Sequence, residues 1–153
     1  MRALKLVQHL RADADSMSQR LLERIRNSTR CGELLRKVPA EEHKRYALDV
    51  YRDLMEWLVT ETEFPIEACY LELGRLRAQQ GVPFSQLFWA VCITRDSLSD
   101  YIQLECLIDE PVEFWGGVML LRSLNQFFDR ALYFSLIGHQ NAGAHEFVDS
   151  HAV

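Results

Sequence analysis

No stretch of this chain reaches the roughly 20 uninterrupted apolar residues of a membrane span. Its most apolar region, 112–137, is broken by Glu113, Arg122, Asp129 and Arg130. An export signal is lacking too, because Lys5, His9 and Arg11 interrupt the first apolar run, and a cytoplasmic protein is expected. Positive charge is in deficit: 17 Lys and Arg stand against 22 Asp and Glu, for a formal net charge of -5, and the two signs are interleaved. A nucleic-acid surface needs clustered cations, so none is expected.

Cysteine is sparse and dispersed. Cys31, Cys69, Cys92 and Cys106 form no C-x-x-C pair, which argues against a disulfide framework or a zinc site and for small buried thiols. Among the five histidines, His9, His43, His139, His145 and His151, no H-E-x-x-H or Cys/His cluster occurs. The even spacing of His139, His145 and His151 lies beyond the last apolar pattern, where metal contact would be adventitious. Glycine motifs for phosphate or dinucleotide binding and a G-x-S-x-G nucleophile are missing. Paired carboxylates, Glu41-Glu42 and Asp109-Glu110, sit at helix starts and suit the positive end of the dipole without catalysis. An enzyme is not expected.

What is present is helical periodicity. The chain has 153 residues, 48% of them hydrophobic, enough for one domain with a core. Its four prolines, Pro39, Pro65, Pro83 and Pro111, fall between periodic segments and mark helix boundaries. Val7, Leu10, Ala14, Met17, Leu21 and Ile25 make one stripe of a first amphipathic helix. A short turn over 33–38 follows. Then come a helix from Pro39 to about Thr60 and one from Ile66 to Gln80, in which Ile66, Cys69, Tyr70, Leu73 and Leu76 face inward. Gly74 lies beside that stripe, where a glycine signals close helix approach, the alternative being a gap left for a ligand. Gly81-Val82-Pro83 is a turn, and Phe84 to Cys106 is expected to be the most buried helix. From Val112 the last helix runs toward Gly138, after which 139–153 reads as a tail or linker. The fold class is therefore all-α: a single antiparallel helical bundle of four to six helices over 1–138.

Two features of this pattern invite a role. Arg95 extends the apolar stripe Val91, Leu98, Ile102, and a buried guanidinium needs a carboxylate. Glu72 and Asp129 are the candidates, and the spacing alone does not choose between them. The last helix carries a second apolar stripe including Leu120, Leu124, Phe127 and Phe134, more than a peripheral helix buries. A homodimer through that face is expected, the alternative being cover by the first helix.

The run Leu73-Gly74-Arg75-Leu76-Arg77-Ala78-Gln79-Gln80-Gly81-Val82-Pro83-Phe84-Ser85-Gln86-Leu87, then Arg95 to Tyr101 and Phe127 to Tyr133, resembles the helical N-terminal domain of RsbT co-antagonist proteins, the RsbR-type components of stressosomes. Similar domains resemble the N-terminal sensor regions of bacterial histidine kinases. The resemblance implies a non-enzymatic input module, often dimeric, that passes a signal to a downstream signalling domain or protein, with no catalytic residues to carry over; because Arg95 and Asp129 both fall in its motifs, it favours Asp129 as the Arg95 partner. No kinase, phosphoacceptor or anti-sigma-antagonist segment follows the tail, so either a longer chain or a separate partner is expected. The alternative is a helical cofactor binder, with haem the leading candidate. No histidine falls within the stripes of the Phe84 to Cys106 helix or of the last helix, and a Soret band in freshly purified protein would decide between the two readings.

Overall fold

A computed structural model describes the backbone of residues 2–106 and 111–151, with side chains over 5–104 and 116–143. Among the described residues there are six α-helices and no strand: α1 (Arg2–Arg26), α2 (Gly32–Lys37), α3 (Ala40–Thr60), α4 (Phe64–Gln79), α5 (Phe84–Tyr101) and α6 (Pro111–His151). A π-helical turn, Ile102–Cys106, continues α5. None of these helices is long and apolar enough to cross a membrane.

The punctuation is where local chemistry demands it. Pro39 and Pro83 take extended backbone just before α3 and α5, so each missing N–H falls where a helix has no intrahelical acceptor for it. Between α4 and α5, Gly81 adopts φ 76°, and Val82 N–H donates to Arg77 O at 3.0 Å, closing α4 by a six-to-one bond. α2 is pinned against the next turn. Leu34 N–H donates to Gln86 Oε1 at 2.9 Å and Lys37 Nζ to Gly81 O at 2.8 Å.

The expected stripe of α1 is buried at Val7, Leu10, Met17, Leu21 and Ile25, facing α3 and α5. The helix expected to be most buried is not the hub. α6 meets α1, α3, α4 and α5, and its packing against α4 is the most extensive helix contact in the fold. α5 leaves Phe88 41% exposed. Within an otherwise antiparallel bundle α4 and α6 run in the same sense, since Glu63 lies beside Arg130 and Gly74 beside His139.

Two glycines bring these helices backbone to backbone. A Cβ built on Gly74 would collide with Ser135 O and lie 2.9 Å from His139 N, and one on Gly138 would collide with Leu71 O and lie 2.8 Å from Leu71 C. Gly138 therefore does not end the last helix. α6 passes through it to His151, and His139, assigned by sequence to a tail, bonds Val82 O through Nε2 at 2.8 Å and packs edge-on against Phe84. The second stripe of α6 is also reassigned. Leu120, Leu124, Phe127 and Phe134 are buried within one chain, so they form its core and not a dimer face. Packing against α4 and the other helices does this, while among the described residues the large apolar side chains that α6 exposes are Val118, Met119 and Tyr133.

Candidate functional site

α3 and α4 are joined by only three residues, yet they make little direct contact because α4 leans on α6 instead. The wedge between them is a cleft of about 390 Å³. One face of α3 supplies Tyr46, Asp49, Val50 and Asp53, at spacings of three and four residues, with Arg52 at the edge. α4 supplies Cys69, Tyr70 and Leu73. Cys69 is exposed in this cleft, against the expectation that it faces the core, because α3 diverges from α4 where a partner would cover it.

The cleft is polar on one side and apolar at its floor. Asp53 keeps only 5% of its side chain exposed, and Arg52 donates to Asp53 Oδ1 through Nε at 3.4 Å and Nη2 at 3.3 Å. Arg52 Nη1 also lies 3.2 Å from Asp49 Oδ1. Burial pushes the Asp53 carboxyl above the usual carboxylate range, with the Arg52 charge opposing it. Burial also pushes the Cys69 thiol up, and the Asp53 charge adds to this, so the thiol stays protonated at neutral pH. On the floor, Thr94 Oγ1 donates to Ala90 O at 2.8 Å, which leaves the Tyr46 hydroxyl to donate to Thr94 Oγ1 at 2.9 Å. Burial raises the Tyr46 phenol to about 12. Tyr70 has a buried hydroxyl with no hydrogen-bond partner, although its ring is held edge-on against Phe127. No activated nucleophile stands beside a base here. The arrangement suits binding.

Comparison with protein-family models, curated proteins and solved structures finds no match to this chain. Three residues of the 73–87 run are explained by the fold itself: Gly74 by the contact with α6, Gly81 by its left-handed turn, Pro83 by the start of α5.

The ion pair expected at Arg95 does not form. Arg95 is 31% exposed in its side chain, and its Nε lies 3.9 Å from Asp96, its own neighbour. Glu72 pairs with Arg75 one turn along α4, and Asp129 is exposed. A long side chain at the stripe's edge reaches water, so no desolvation forces a partner on it. The buried arginine is Arg77, 4% exposed in its side chain. Its Nη1 donates to Gln80 Oε1 at 2.9 Å and to Glu42 Oε1 at 3.4 Å, while Gln80 Nε2 donates to both Glu42 oxygens at 3.1 and 3.0 Å. Ile66, Tyr70, Gly74 and Arg77 are the buried positions of α4, so extending that stripe by one turn would have found it.

His43 borders this cluster, buried among α2, α3 and α4, with no partner for Nε2. Of the described histidines, none lines the cleft. Among the described residues no three His, Cys, Asp or Glu side chains are grouped to hold a metal ion. Burial, and then the Arg77 charge, hold the His43 imidazole below its ordinary value of 6.5, with Glu42 and the Leu34 and Val38 carbonyls opposing. The unfolded chain therefore takes up the proton first as pH falls through that value, and the folded state loses stability until its own lower pKa is passed. The parent should melt at lower temperature at pH 5.5 than at pH 7.5, His43 contributing at most about 1.4 kcal/mol of that loss per pH unit, the limit for one proton. His43→Gln should flatten this slope; an unchanged slope would assign it to other groups.

Proposed function

We propose that this chain is a non-enzymatic signal-transduction input module, as its resemblance to the RsbT co-antagonist N-terminal domain implies. Occupancy of the α3/α4 cleft displaces α4 along α6, and α6 carries the displacement to a downstream domain or partner protein in the cytoplasm. The observation behind this reading is the backbone contact of α4 and α6 at Gly74 and Gly138. Leu71 and Gly74 make that contact, and Cys69, Tyr70 and Leu73, which alternate with them on α4, line the cleft. Side chains that could absorb a shift are absent from the contact, so a small movement of α4 is transmitted and not damped. A symmetric dimer lever is not part of the mechanism, because the stripe assigned to it lies inside the chain.

Filling the cleft covalently tests this without knowledge of the natural occupant. Cys69, exposed in the cleft, is alkylated with benzyl maleimide, or Ala68→Trp fills the space from the adjacent position. Amide hydrogen exchange should then change in α6 over 131–142 as well as in α3 and α4. Changes confined to α3 and α4 under both treatments would refute the coupling.

A further inference from the structure

The ligand class follows from the cleft's charges and its one orphaned group, and it rests on the reading of the cleft as the input site. Three carboxylates reach the cleft, Asp49, Asp53 and Glu72. Arg52 bridges the first two, and Arg75 takes Glu72 outside on the rim. Five charged groups thus sum to one uncompensated negative charge, and its most buried holder is Asp53. Among the described residues the only cation on Asp53 is a guanidinium whose own side chain is 62% exposed and whose bonds to it are long. A carboxylate so placed gains most from a second donor that arrives from the cleft side.

The Tyr70 hydroxyl is the second observation. The residue is 3% exposed, its oxygen has no hydrogen-bond partner among the described residues, and Tyr70 lines the cleft together with Asp49 and Asp53. A buried phenol O–H with no partner can both donate and accept, so an N–H group reaching it from the cleft finds a free acceptor. Around these polar atoms Val50, Leu73 and the Tyr46 ring give an apolar wall.

We propose that the α3/α4 cleft binds a small organic monocation, an ammonium or guanidinium on an apolar body, whose N–H groups donate to Asp53 and to the Tyr70 hydroxyl. The single net charge selects a monocation over a metal dication, and the volume is that of a small-molecule site.

The test uses the full chain and three probes of one shape: phenethylammonium, neutral N-acetylphenethylamine and anionic phenylacetate. Calorimetric titration should find phenethylammonium bound at least roughly tenfold more tightly than either analogue, the worth of one charge-assisted hydrogen bond. Bound phenethylammonium should slow alkylation of Cys69. Asp53→Asn should weaken binding by about the same factor, and Tyr70→Phe, which keeps the ring against Phe127, should weaken it severalfold. Equal or tighter binding of phenylacetate would make Arg52 the anchor and overturn the proposal. So would affinity for phenethylammonium unchanged in both variants, or no binding of it to the parent. The two readings fail separately: binding of the cation with no change in α6 exchange removes the coupling and leaves the ligand class, whereas a covalent plug that alters α6 in a chain that ignores the cation removes the ligand class alone.

Discussion

Gly138→Ala should lower stability by about 3 kcal/mol, the upper part of the range for overpacking a well-filled interior, and Gly74→Ala by a similar amount. Ordinary helix chemistry gives the opposite sign, since alanine in place of an interior helical glycine gains about 1 kcal/mol. The contact overrides this. A methyl group on Gly138 meets Leu71 O first, with Leu71 C at 2.8 Å and Leu71 Cα at 3.0 Å, and one on Gly74 meets Ser135 and His139 backbone. None of these atoms can turn away as a side chain would, so the two helices must separate and release the packing around Phe127, Phe128 and Ala131. The same helix carries its own control. A Cβ on Gly143 would meet nothing within 4 Å, so Gly143→Ala should raise stability by about 1 kcal/mol. Thermal melts of the three variants check the pattern, in which each kcal/mol is roughly 3 °C for a chain of this size. A Gly138→Ala protein that melts at or above the parent would show that α4 and α6 are not in backbone contact.

The same glycine shows why some of the fold was legible and some was not. Proline and the Gly81 turn act through local backbone sterics, so α3, α4 and α5 begin within two residues of where the sequence places them. The stripe of α1 was equally plain, because a surface helix needs only one buried face. Gly138 carries two local meanings, helix stop and close approach, and only the position of Leu71 selects the second. In α6 the number of apolar stripes was evident, but which one faces inward depends on where α4 lies. The cleft was hidden for a related reason. Asp49, Asp53 and Cys69 sit on faces that read as solvated or as ordinary core, and their meeting results from the divergence of α3 from α4. Arg95 and Arg77 both interrupt apolar stripes; the stripe identifies a buried direction, yet only Arg77 is too enclosed to extend into water.

That enclosure makes Glu42 the residue whose removal should cost most among the charged groups. Glu42→Ala leaves the Arg77 guanidinium buried with Gln80 Oε1 as its remaining described acceptor, and removes both acceptors of Gln80 Nε2. Stranding a buried charge costs about 3 kcal/mol or more, and the partial exposure of Glu42 places this case at the lower end. Melting should fall by roughly 10 °C for that loss. Arg77→Met is the milder change. It fills the same space with an apolar chain and leaves a carboxylate that already reaches water and keeps its bonds from Gln80, so a loss under about 1 kcal/mol is expected. Adding Arg77→Met to Glu42→Ala should then restore much of the stability that Glu42→Ala alone removes, because the stranded charge has gone. Equal small losses from the two single variants, adding without recovery, would mean that Arg77 is solvated and that the α3–α4–α2 corner is held by packing alone.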